Sequence, residues 1–144
     1  MAETFDLILK GGTVVNHDGE GLRDLGIKDG RFAGIGDLSR VSAGEVVDCS
    51  GLHLLPGVID SHVHFREPGL THKEDLETGS RGAVLGGVTA VFEMPNTIPT
   101  TTDAGALAAK VKAAHHRMHC DFAFYVGATR ENTADLAELE RLPG

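Results

Sequence analysis

The stretch GVIDSHVHFREPG, residues 57–69, decides how this chain is read. Residues 58–64 alternate like a strand, and in an extended strand the side chains at i, i+2 and i+4 share a face. Asp60, His62 and His64 therefore project together, with Ser61 and Val63 on the other side. Two imidazoles so spaced can ligate zinc or another divalent ion. The same spacing also suits one histidine hydrogen-bonded in a core and the other exposed. Arg66 follows on the same parity, and its planar fork fits a carboxylate; a salt bridge to Glu67 or another loop acid is the alternative. Glu67 itself reads as a solvated carboxylate where Pro68 and Gly69 start a turn.

Downstream of this stretch the pattern repeats as strand, loop, helix. A helix is predicted over 75–85, although Gly79 and Gly82 each weaken it by about 1 kcal/mol relative to Ala, and Gly86-Gly87 ends it. A β-branched and aromatic strand follows over 88–95. Thr102 or Asp103 can then cap an Ala- and Lys-rich helix to about His116. A third strand is predicted over 121–126, and a third helix opens at Asn132 or Thr133 and reaches Arg141. Such alternation implies a parallel sheet covered by helices, either doubly wound or closed into a barrel. A (β/α)₈ barrel takes about 250 residues, so in a barrel these units are the beginning.

Ligands of parallel α/β sheets gather at the carboxyl ends of the strands. His62 and His64 lie at such an end, and so does Asn96 in MPNT, residues 94–97. Its amide offers a donor and an acceptor to a substrate, or it serves as a turn residue after proline.

Upstream, residues 5–56 form short strand-like runs separated by Gly11-Gly12, Asp18-Gly19 and Asp29-Gly30, dipeptides suited to tight hairpins. They predict a small antiparallel β unit. Over the whole chain, 41% hydrophobic residues and a formal charge of −8 in 144 residues fit a soluble globular protein. Lys and Arg, 13 against 21 Asp and Glu, are scattered, so no nucleic-acid partner is expected. Neither a signal peptide nor a membrane span is legible, which makes the expected location cytoplasmic and excludes a membrane role. Cys49 and Cys120 are expected as reduced, buried thiols. His115 and His119 have i, i+4 spacing but lack the Glu of HExxH, and read as the last turn of the second helix. Phosphate loops and a nucleophile elbow are absent from the sequence.

The run LLPGVIDSHVHFREPG, followed by KEDLETGSRGAVLGGVTAVFEMPNT, resembles the start of a dihydroorotase of the amidohydrolase superfamily, in the cyclic amidase branch with hydantoinases, dihydropyrimidinases and allantoinases. The resemblance implies an α/β fold: the N-terminal part of a metal-dependent (β/α)₈ TIM barrel over 56–144, preceded over 1–55 by strands of a small β-sandwich domain, in a truncated chain. It assigns His62 and His64 to a centre of one or two zinc ions. The bridging carbamylated lysine and the general acid/base Asp are expected beyond residue 144.

Arg66 and Asn96 are implied to hold the substrate carboxylate. The implied reaction is reversible hydrolysis of L-dihydroorotate to N-carbamoyl-L-aspartate, in pyrimidine synthesis, with metal-activated water. Another cyclic amidase activity, or a non-catalytic fragment acting as an assembly partner, is the alternative. The resemblance also implies a homodimer, with a small-molecule substrate and a transcarbamoylase as a candidate partner.

Overall fold

A computed structural model describes residues 4–144 and divides the chain into two compact units, Met1–Pro56 and Gly57–Gly144. The first unit is a five-stranded sheet of β1 (Thr4–Asn16), β2 (Gly19–Lys28), β3 (Arg31–Gly36), β4 (Ser42–Asp48) and β5 (His53–Leu54). Its order is β3-β2-β1-β4, with β5 also on β1. The β2–β3 hairpin turns through Asp29 and Gly30, with φ of 51° and 70°, as a two-residue turn between Lys28 and Arg31. Positive φ at both central positions marks the turn type that matches strand twist.

Two expectations for this unit are corrected. Gly11-Gly12 makes no hairpin: β1 runs through it for 13 residues, with a register shift between Leu9 and Gly12 and φ of 74° at Gly11. That bulge divides the strand's outer edge, so residues 4–10 pair with β4 and Thr13 and Val14 pair with β5. Both of those pairings are parallel, which makes the sheet mixed rather than antiparallel. Asp24, buried in β2, anchors the bulge by accepting from the Gly11 N–H at 2.9 Å and the Leu38 N–H at 3.1 Å.

The second unit carries β6 (Val58–Val63), α1 (Leu76–Leu85), β7 (Val88–Glu93), α2 (Ala104–Ala114), β8 (Asp121–Phe124) and α3 (Leu136–Leu139). Its strands are parallel in the order β6-β7-β8. Both longer helices begin on an aspartate. The Asp75 carboxylate accepts from the Thr78 N–H at 2.8 Å in a capping box, and that of Asp103 accepts from the Ala106 N–H at 2.8 Å. Phe65, Leu76, Val91, Leu107, Ala114 and Phe124 form the core between sheet and helices.

The ends of α2 and α3 also depart from expectation. α2 stops at Ala114, and His115 and His116 leave it with non-helical backbone, His116 at φ 61°. α3 has only four residues. The amide of Asn132 is committed instead to a loop: its Nδ2 donates to the carbonyls of Thr102 (2.7 Å) and Gly127 (2.8 Å), and its Oδ1 accepts from the Thr129 N–H. Cys49 is a buried free thiol, while Cys120 is only partly buried.

Candidate active site

β6 and β7 lie side by side and parallel, so their carboxyl ends open together. His62 is the penultimate residue of β6, and His64 is the first residue beyond it. Asn96 lies three residues past the end of β7. The Nδ1 of His64 stands 2.8 Å from Oδ1 of Asn96, and the rings of His62 and His64 meet edge to face with centroids 5.1 Å apart. For the asparagine oxygen to accept, Nδ1 of His64 carries the proton, which leaves the lone pair on Nε2. A hydrogen bond of this kind on the far nitrogen is what fixes the tautomer of a metal-binding imidazole.

Asp60 shares the strand parity of the histidines but is turned back on its own backbone, accepting from the His62 N–H at 3.0 Å. Among the described residues no group of three or more His, Cys, Asp or Glu side chains converges. The donor set here is thus two imidazoles, one of them pre-oriented. It fits two positions of a divalent ion of the zinc type, the remaining ligands coming from outside this pair.

Arg66 departs from the strand alternation, because its φ is 66°, in the left-handed region. Its side chain forms no hydrogen bond or ion pair with His62, His64 or Asn96 among the described residues. Neither does it pair with Glu67, which is engaged elsewhere and is not a solvated carboxylate. Both Glu67 oxygens accept from the Arg117 guanidinium, at 2.8 and 3.0 Å, and Oε2 also accepts from the Leu76 N–H at the start of α1. The guanidinium, reinforced by that N–H, holds the Glu67 carboxyl below its ordinary pKa against the cost of burial. The loop following Arg66 is therefore tied to α1 and to the end of α2. The Nε2 of His119 stands 3.0 Å from Oε1 of Glu77.

A second acidic residue had no place in the sequence reading. Glu93, the last residue of β7, lies beneath the strand ends with its side chain 1% exposed and Oε2 at 2.9 Å from Nζ of Lys110, also 1% exposed. The angle of this contact is outside hydrogen-bond geometry, so it is an ion pair rather than a directed bond. Oε1 accepts from the Phe65 N–H at 3.2 Å. Burial raises the Glu93 pKa, opposed by Lys110. A signal for the pair was present: Glu93 shares strand parity with buried Val91, and Lys110 falls on the buried face of α2 with Leu107 and Ala114.

The arrangement defines a class: an α/β protein with two histidines and an amide at the carboxyl ends of adjoining parallel strands, where such sheets place their functional sites. The chain belongs to the dihydro-orotase-like family, whose profile matches residues 51–142. Allantoinases of Escherichia coli strains are 41% identical over 141 residues, which is 96% of this chain and 31% of theirs. An L-hydantoinase (dihydropyrimidinase) from Arthrobacter aurescens superposes with a TM-score of 0.89 at 37% identity, over 94% of this chain and 31% of that one. A dihydropyrimidinase from Brevibacillus agri gives a TM-score of 0.79 at 31% identity, over 92% of this chain and 29% of that one. The chain thus spans about a third of the length of these relatives. Among the described residues no helix is long and apolar enough to cross a membrane.

Proposed function

We propose that this protein is a hydrolase that opens cyclic amide rings, with residues 57–144 as the first three βα units of a (β/α)₈ barrel and residues 1–56 contributing strands of a β-sandwich. The observation that carries the reading is the 2.8 Å contact between His64 and Asn96 beside the His62 ring, at the carboxyl ends of adjoining parallel strands. His62 and His64 would hold a divalent ion, which supplies an activated water and polarises the amide carbonyl when bound. Asn96 orients His64 through Oδ1 and keeps Nδ2 to donate to an oxygen of the substrate. Placing the ring against these groups lowers the barrier by orientation.

Within that class we favour a hydantoin-type ring, as in hydantoin and allantoin. The relatives called allantoinase and L-hydantoinase match nearly the whole chain at 41% and 37% identity. Dihydroorotate is the second reading, supported by an amide, Asn96, against His64 in space and a guanidinium, Arg66, two residues beyond His64 in sequence, groups suited to a ring carboxylate. A homodimer remains part of the same proposal.

The test is a panel of allantoin, hydantoin, dihydrouracil and dihydroorotate with the zinc-loaded protein. Faster turnover of hydantoin or allantoin than of dihydroorotate is expected, and His62→Ala or His64→Ala should remove bound zinc and turnover together. Preference for dihydroorotate, abolished by Arg66→Met with zinc retained, would establish the second reading. Hydrolysis of none of the four rings would overturn the proposal.

A further inference from the structure

The buried Glu93–Lys110 pair touches both strand ends that carry the candidate site. Glu93 Oε1 accepts from the N–H of Phe65, the residue after His64, at 3.2 Å. Lys110 Nζ lies 2.9 Å from Glu93 Oε2, donates to the carbonyl of Met94 at 3.4 Å, and sits over the Phe124 ring at 5.1 Å from its centroid. Met94 is two residues before Asn96, and its own N–H donates to the Val63 carbonyl at 3.0 Å. The hydrogen bond between His64 and Asn96 is thus formed by residues immediately beyond a buried set of polar contacts joining β6, β7 and α2.

Such a pair is a costly way to stabilise a core, since a buried ion pair is often replaceable by apolar residues of similar volume without loss of stability. What an apolar pair cannot supply is an acceptor for the Phe65 N–H, in a residue only 7% exposed. We propose that Glu93, held by Lys110, is a positioning residue that fixes the backbone after His64 relative to the β7 end, so that the imidazole meets Asn96 and presents Nε2 to the metal. This inference rests on the reading of His62 and His64 as ligands.

Two double variants isolate the acceptor. Both Glu93→Gln/Lys110→Met and Glu93→Leu/Lys110→Met remove the charges, but only the first keeps an oxygen for the Phe65 N–H. Zinc affinity of the purified protein is read by titration, and the His64 tautomer by ¹⁵N chemical shifts without metal, both well below the melting temperature of every variant. The Leu/Met variant should bind zinc about tenfold or more weakly and lose the single Nδ1-protonated tautomer, while the Gln/Met variant stays within about threefold of the parent.

Equal zinc affinity in all three proteins, with His64→Ala still abolishing binding, would overturn the positioning role alone. Equal weakening in both double variants would also overturn it, because charge or packing and not the acceptor would be responsible. Zinc binding unaffected by His62→Ala and His64→Ala would overturn the ligand reading and the inference built on it.

Discussion

Single side chains at this site acquire their roles from partners far away in sequence. Glu67 and Arg117 are 50 residues apart, and nothing in FREPG points to that guanidinium, so a solvated carboxylate was the natural reading of Glu67. His62, His64 and Asn96 were legible because strand alternation and the strand-end rule need only local sequence, and the structure brings these three together. The Arg66 parity was misread because a left-handed residue breaks the alternation. The engagement of Glu67 has a measurable sign. Its folded pKa lies below the ordinary 4.5, so its stabilisation is complete above that pH and is lost as pH falls through the folded value. Glu93 runs oppositely: its folded pKa is raised, so protonation at low pH relieves a burial penalty that returns as pH rises. Glu67→Gln should therefore destabilise at pH 7 by about 1–2 kcal/mol, a range reduced by solvent screening at the half-exposed Arg117. Urea unfolding at stepped pH should show the variant and parent converging below pH 4.5. A second residue-scale expectation concerns Asn96→Ala, which frees the His64 Nδ1; zinc affinity should fall about tenfold while thermal stability changes little.

At the scale of elements, the helix starts were readable and several ends were not. Asp75 and Asp103 cap where an aspartate precedes an apolar run, a purely local signal. Asn132 looked like another cap, but its amide is taken by the carbonyls of Thr102 and Gly127, a tertiary demand with no local signature. Gly11-Gly12 looked like a hairpin, yet β1 has partners on both sides of it and the lower-energy outcome is a bulge. The two glycines inside α1 show the same divide between local propensity and packing. A Cβ on Gly79 would run into the Phe65 ring, whereas one on Gly82 meets nothing within 4 Å. Gly79→Ala should therefore cost about 1–3 kcal/mol through overpacking, and displace the Phe65 backbone beside His64. Gly82→Ala should add about 0.5–1 kcal/mol through helix propensity. Chemical denaturation of the two variants separates these effects, which sequence alone treats as equal.

Across the whole molecule, the division after Pro56 has a sequence cause: strands following one another through Asp-Gly turns before it, and strands alternating with helices after it. Each side supplies its own apolar residues. In the first unit Phe5, Ile8, Val14 and Leu25 are buried, with the Phe5 ring packed against Gly26 and Gly34. In the second, Leu76, Ala114 and Val91 are the most deeply buried members of the cluster between sheet and helices. Units with separate cores open as separate cooperative segments when native-state amide exchange is followed residue by residue. Truncating a core leucine to Ala costs about 2–5 kcal/mol of the segment that contains it. Leu25→Ala should accordingly accelerate exchange in β1, β2 and β3 while β6, β7 and β8 keep parent rates, and Leu76→Ala should do the reverse. The second variant bears directly on the site, because loosening α1 releases the N–H that Glu67 accepts and the helix against which Phe65 packs. Zinc affinity should then fall in Leu76→Ala and hold in Leu25→Ala, although the two substitutions remove the same side chain; acceleration of exchange in all six strands by either variant would instead show one cooperative core.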